Sequence, residues 1–303
     1  MHRNCEIIGV ASGWGAKQRG CEDGPESLYK KVALKSCKVE QKYLWEILYP
    51  LFQEKHQNID LEHVLPLITD LNCHVSHAVC DAIKRKYFPI VFGGDHSIAV
   101  GTWSGVKESM GQGKKLGLIW VDAHMDSHIP GTSPSGAWHG MPLAALLGCG
   151  DPAFCPSTKN SVLLPEHVCL IGTRSFESGE EELLKRMKVK VFPMDEVKKR
   201  GLQEVMEEAI KIVSKGTDGF GVSLDMDVMD PKEAPGVGSP VPGGIVSSDL
   251  FKIITLVTER PDLLAFEIVE FNPYKDKDER TACICLEILG RIIGHGKPTK
   301  EKK

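Results

Sequence analysis

Seven short apolar runs, each set off by polar punctuation, constrain this chain more than any other feature of its sequence. They are Glu6–Val10, Tyr87–Phe92, Leu116–Val121, Val168–Ile171, Val189–Phe192, Phe220–Leu224 and Leu263–Val269. Most are continuous rather than alternating, the pattern of strands covered on both faces. Amphipathic stretches lie between them: Leu61–Lys86 contains one, and Ser97–Met110, Glu180–Met187, Leu202–Ser214 and Ser247–Thr258 follow. Ser247 and Ser248, followed by Asp249, are the expected N-caps of the last. Strands alternating with helices predict βαβ units, hence an α/β fold on a parallel sheet. Ligands bind beyond the carboxyl ends of such strands, so the residues just after each run matter most.

Four runs end in acids or imidazoles. Gly93-Gly94-Asp95-His96-Ser97 follows the second, and Asp122-Ala123-His124-Met125-Asp126 the third. Asp225-Met226-Asp227 and Glu270-Phe271-Asn272-Pro273 follow the last two. In extended backbone alternate side chains share a face, so Asp122, His124 and Asp126 converge, as do Asp225 and Asp227. With His96, four carboxylates and two imidazoles meet in one crevice. Uncompensated, the carboxylates would repel and lose their protons less readily. Two divalent cations cancel four negative charges, which points to a binuclear centre. Carboxylate oxygens with two nitrogens and no thiolate suit Mn²⁺, with Zn²⁺, Fe²⁺ or Co²⁺ as alternatives. Two ions about 3.5–4 Å apart can share a water and present it as hydroxide at neutral pH, so hydrolysis is the expected chemistry. A lone D-x-D after a strand is often only a cap or turn; together the motifs say more.

Composition removes other classes. The 303 residues carry a net charge of −4, with neither basic runs nor acidic blocks to suit nucleic acid or a membrane. No stretch nears the roughly 20 apolar residues of a bilayer span, and no signal-peptide pattern opens the chain. Ten scattered cysteines without a C-x-x-C pair read as reduced thiols of a cytoplasmic, soluble protein. Cys283 and Cys285 fall in an apolar stretch that reads as helix or strand core. No repeat or linker divides the chain, so one catalytic domain is expected over residues 1–296, with a flexible tail over 297–303.

These strand-end motifs resemble the arginase (ureohydrolase) family. The likeness rests on Gly93–Ser97, on Trp120–Asp126, and on Ser223–Asp227 with Asp230-Pro231. Pro240-Val241-Pro242-Gly243-Gly244 and Glu270–Pro273 are similar to two further family segments. The resemblance implies a three-layer α/β/α architecture, shared with metal-dependent deacetylases, around a roughly eight-stranded parallel sheet. It also implies two Mn²⁺ and a small guanidino substrate, cleaved to urea and an amine by a metal-bridging hydroxide, often in a homotrimer or homohexamer. One ion would take His96, Asp122, Asp126 and Asp225, and the other Asp122, His124, Asp225 and Asp227. Asp126 would sit beside the shared hydroxide. His139, in Trp138-His139-Gly140-Met141-Pro142, is similar to the family's proton-shuttling histidine; as a plain turn residue it would only cap a helix. Glu270 is similar to the carboxylate that pairs with the guanidinium. The loop holding Gly236, Gly238, Gly243 and Gly244 would shape the pocket wall.

The substrate end departs from the family. Where arginases read the α-carboxylate through Asn, Ser and Asn, this chain has His128, Ser135 and Ala137. Glu177 stands where an Asp usually meets the α-amine, with Glu180 three residues on. L-Arginine, giving L-ornithine and urea, is the first expectation; agmatine or a guanidino acid is the alternative. A deacylase of the same architecture would use a single ion, and Asp126 with the Asp225–Asp227 pair argues for two.

Overall fold

The computed structural model describes residues 4–35, 43–50, 63–155 and 161–294. The tail expected over 297–303, and the start of the helix expected from Leu61, lie outside them. All eight described strands form one sheet, and every neighbouring pair in it is parallel. In chain order they are β1 (Cys5–Val10), β2 (Tyr43–Leu48), β3 (Phe88–Gly93), β4 (Gly117–Val121), β5 (Val168–Thr173), β6 (Lys190–Pro193), β7 (Phe220–Asp225) and β8 (Leu263–Val269). Across the sheet they run β2-β1-β3-β8-β7-β4-β5-β6.

The continuous apolar runs are explained by what covers them. Successive side chains of a strand point to opposite faces. Ile7, Ile90, Ile119 and Phe220 therefore pack into one core, with helices α7 (Leu202–Ser214), α8 (Ser247–Thr258) and α9 (Arg280–Ile293). Ile8, Val91, Leu118 and Val269 pack into the other, with α2 (Leu65–Lys84) and α3 (Ala99–Met110). The result is the three-layer α/β/α arrangement. Burying both faces contributes roughly 1.5–3 kcal/mol for each large side chain removed from water.

Three expectations are corrected. The eighth strand, β2, has no counterpart among the seven runs: it is an edge strand whose Leu44 and Glu46 are exposed, so Tyr43–Leu48 reads ambiguously. Cys283 is not core. It and Cys285 lie on α9, where residues two apart do not share a face, and only Cys285 is buried. Val246, not Ser247, is the N-cap of α8; the Ser247 amide instead donates to the Glu233 carboxylate (2.7 Å), an acid 14 residues away.

Chain closure near the functional edge depends on one glycine. The Gly94 carbonyl accepts from Glu270 N (2.8 Å), and Asp95 N donates to Ser12 O (2.9 Å), so the ends of β1, β3 and β8 are drawn together. A Cβ on Gly94 would lie 1.6 Å from Ser12 O, a backbone atom with no rotamer to yield. Gly94→Ala is expected to destabilise the fold by about 1–3 kcal/mol or more in denaturant unfolding. Gly131→Ala, whose Cβ would meet nothing within 4 Å, should stay within about 0.5 kcal/mol. Equal unfolding midpoints for the two variants would refute this account.

Candidate metal centre

The four central strands in spatial order, β3-β8-β7-β4, end in the four charged motifs. Asp95 and His96 follow β3, Asp122 to Asp126 follow β4, Asp225 and Asp227 end β7, and Glu270 follows β8. All lie nearly buried apart from His124, whose side chain is 26% exposed. Nδ1 of His96 is the focus. Oxygens of Asp126 (2.9 Å), Asp122 (3.2 Å) and Asp225 (3.2 Å) surround it, yet this fully buried nitrogen makes no well-aligned hydrogen bond. Asp122, His124 and Asp227 form a second group, with His124 Nδ1 at 3.0 Å from Asp227 and 3.6 Å from Asp122. Asp122 is common to both groups. Asp225 borders the first through His96 and reaches the second only through its backbone neighbour, because its Oδ1 accepts from Asp227 N (2.7 Å).

Residues beyond the strand ends orient this cluster. His96 Nε2 lies 2.9 Å from Ser223 Oγ, whose hydroxyl donates to Glu267 (2.5 Å). Because the hydroxyl proton is committed to Glu267, Nε2–H must be the donor. Without metal the three carboxylates favour a proton on Nδ1; once that proton leaves, His96 turns a bare Nδ1 lone pair toward all three. Acceptors converging without a donor fit a cation, and this is the observation on which the metal fit rests. Trp120 stacks on His96 (centroids 4.1 Å apart, planes at 12°) and donates from its indole N–H to Asp122 (2.9 Å). Asp95 turns away from the cluster; it accepts from Ser97 N (3.0 Å), Gly15 N (3.0 Å) and Ser12 Oγ (3.2 Å), tying the 12–15 loop to β3.

Without counter-ions the charges conflict. Burial, then the charges of Asp227 and Asp122, hold the Asp225 carboxyl well above its usual range. Burial and Asp122 push Asp126 up to about 6. Burial disfavours charge on His96 and His124 as well, but the surrounding carboxylates outweigh it and raise both. Asp122 alone among the four is lowered, since the two imidazoles outweigh its burial. The pocket thus retains protons where positive charge is missing.

Beside this cluster lies a cavity of about 250 Å³, bounded by His139 and Glu270 and by Ser135 and Ala137. Glu270 has left-handed backbone (φ 65°), as does Asp126 (φ 47°), an arrangement that costs about 1 kcal/mol or more for a side-chain-bearing residue. Oε1 of Glu270 accepts from His96 N (2.9 Å) and faces His139 Nδ1 at 3.0 Å; Oε2 accepts from the Cys21 thiol (3.3 Å). Burial works against a charged His139, but the Glu270 carboxylate overcomes it and lifts the imidazole to about 9.

Other expected residues sit differently. His128 Nε2 lies 2.9 Å from Glu177 and 3.4 Å from Glu180, and its Nδ1 meets Thr132 Oγ1 at 3.1 Å. Glu177 and Glu180 form a reciprocal capping box on α5 (Ser178–Met187), and neither borders the cavity. Of the four loop glycines only Gly238 borders it. Gly243 and Gly244 lie by the arch that Arg174 holds, its guanidinium donating to carbonyls of Asp227 (2.9 Å), Val241 (2.8 Å) and Pro242 (3.2 Å). Sequence reasoning passed over Ser223, Glu267 and Cys21. An acid and a hydroxyl inside buried apolar strands were the available signal for the first two; Cys21 had none.

The chain matches the model of the arginase family over residues 3–294. It is 38% identical to an arginase of Bacillus caldovelox, spanning 95% of this chain and 97% of that one. It is also 38% identical to an arginase of Brevibacillus brevis, over 97% and 99% of the two chains. The native Bacillus caldovelox arginase structure superposes with a TM-score of 0.86 at 36% identity, covering 96% of this chain and 98% of that one. An Entamoeba histolytica arginase solved with L-ornithine gives 0.87 at 28% identity, over 97% and 100%.

Two outcomes follow from this geometry. Divalent cation should raise the melting temperature, since binding at 100 times Kd adds about 2.7 kcal/mol per site. Asp122→Asn, which touches both groups, should remove most of that rise, and calorimetry showing an undiminished rise would refute the shared role. The His139–Glu270 pair should titrate visibly in metal-free protein. His139 is raised from 6.5, so its contribution is complete below pH 6.5 and lost as pH climbs through about 9. Glu270 is lowered from 4.5, so its share disappears in acid. The stability gap between wild type and Glu270→Gln should peak near pH 6, on the order of 2 kcal/mol, and close above pH 9. A gap independent of pH would contradict the pairing.

Proposed function

The chain belongs to the arginase family, and on that premise we propose that it hydrolyses the guanidinium group of L-arginine to L-ornithine and urea. The observation that carries this reading is the ring of three carboxylates around His96 Nδ1, beside a cavity that ends on Glu270 and His139. Under it, His96, Asp122, Asp126 and Asp225 would hold one cation, and Asp122, His124 and Asp227, with Asp225 beside them, would hold a second. Oxygen donors with two imidazoles and no thiolate favour Mn²⁺, with Co²⁺, Fe²⁺ or Zn²⁺ as substitutes. When bound, the ions supply Lewis acidity that makes water nucleophilic at neutral pH and offset the carboxylate charge.

The chain's own groups do the rest. Glu270, kept ionised by His139 and by the His96 amide against the effect of burial, offers a carboxylate edge to the planar guanidinium. That contact fixes the guanidinium carbon beside the metal ligands. Asp126 reaches the same point from β4 and accepts hydrogen from the attacking water. His139 borders the cavity and holds a proton at neutral pH, so it can protonate the nitrogen that leaves as the C–N bond breaks. Of the residues expected at the substrate's far end, Ser135 and Ala137 line the cavity, whereas His128, Glu177 and Glu180 bond to one another outside it. A second reading, an agmatinase or guanidino-acid ureohydrolase with the same chemistry, is favoured by one fact: Ala137 brings no side-chain donor to the cavity. Scattered cysteines without a C-x-x-C pair support a cytoplasmic setting, and no helix among the described residues is long and apolar enough to cross a membrane. We take the working form to be a homotrimer or homohexamer.

Mn²⁺-loaded protein is expected to release urea from arginine, and His139→Ala to lower kcat by roughly 10²–10⁴ while keeping its metal. Urea assays with arginine, agmatine and 4-guanidinobutyrate in parallel check the assignment. Absence of urea from all three would sink it.

A further inference from the structure

The cavity beside Glu270 differs sharply in charge between its ends. Its inner end holds the Glu270 carboxylate, the one acid among its lining residues. Its outer end holds Lys17, with the hydroxyls of Ser135 and Ser239. Lys17 is exposed and makes no ion pair among the described residues, whereas its neighbour Arg19 is committed to Glu22 (2.9 Å) and to the face of Trp14 (4.2 Å).

The position of Lys17 is not left to chance. Two residues earlier, Gly15 N donates to Asp95 (3.0 Å), and Gly15 O accepts from His139 N (3.1 Å). The loop is thus bonded on one side to the residue preceding His96 and on the other to the turn that carries His139. A Cβ on Gly15 would stand 2.3 Å from Asp95 Oδ1, so the close approach needs glycine. This anchored loop brings Lys17 to the rim of a cavity whose floor is an anion, and that pairing of charges suits a ligand of the opposite polarity, cationic inside and anionic outside.

The acids that could read a further ammonium group are occupied. Glu177 is held by His128 at 2.9 Å and Glu180 caps α5 beneath it, and neither borders the cavity. We propose, building on the ureohydrolase reading above, that Lys17 with Ser135 binds a carboxylate at the substrate's far end, and that the ammonium beside that carboxylate goes unread. The substrate class is therefore ω-guanidino carboxylates, of which arginine is one member. Lys17 is a specificity residue and takes no part in breaking the bond.

Three compounds separate the groups: L-arginine, 5-guanidinopentanoate, which lacks only the ammonium, and agmatine, which lacks only the carboxylate. With Mn²⁺-loaded full-length protein, 5-guanidinopentanoate should match arginine in kcat/KM within about threefold. Agmatine should fall roughly 10- to 100-fold below both, mostly in KM, the worth of one charge-assisted hydrogen bond. Lys17→Met should narrow that gap by about tenfold. Calorimetry without turnover should give 5-aminopentanoate and ornithine similar Kd values. Arginine exceeding 5-guanidinopentanoate tenfold or more would overturn the inference, as would an unchanged gap in Lys17→Met; in both cases urea production stands. No urea from any compound would overturn the ureohydrolase reading and this inference with it.

Discussion

Four aspartates lie buried together beyond the carboxyl ends of the strands, and the rest of the molecule is arranged around that fact. Charges placed together away from water cost several kcal/mol each unless compensated. The chain compensates in part with two imidazoles, and in part by dividing the aspartates between the ends of β4 and β7 rather than placing them along one segment. His96 is central because it meets three of the carboxylates from a fixed direction. Ser223 and Glu267 set that direction from behind, and the Trp120 ring limits its tilt.

Rigidity at the edge is achieved with backbone as much as with side chains. Gly94 lets β1 and β3 close on one another, and Glu270 is held in left-handed backbone by the Gly94 carbonyl. Arg174 clamps the Asp227 turn to the 240–242 loop through carbonyl oxygens. Such pre-set geometry suits a centre whose ligands must be within a fraction of an ångström of their places before the substrate enters.

Much of this was legible in the sequence because one local rule sufficed. The strand-end rule puts His96, Asp225, Asp227 and Glu270 on the same edge as Asp122, His124 and Asp126; the period-two alternation expected of the last three does not hold, since they meet through a bend after β4 and left-handed backbone at Asp126. What escaped depends on contacts between distant segments. The Glu233 cap of α8, the Cys21 thiol on Glu270 and the relay from Ser223 to Glu267 join residues 14, 249 and 44 positions apart. The edge strand β2 escaped because a half-exposed strand lacks the unbroken apolar run that marked the other seven. His128 and Glu177 were legible as departures from the family pattern; that they meet each other was not, since 49 residues separate them.

The stacking of Trp120 on His96 has an optical consequence. Its indole ring lies flat against one candidate ligand and hydrogen-bonds another, so its excited state borders the candidate metal position. An ion with unpaired electrons arriving there would drain that ring's emission, whereas a closed-shell ion would mainly shift its colour. The chain has only five tryptophans, so a change in one is visible against the others. The protein carries its own lamp for following how the centre fills and which kind of ion fills it.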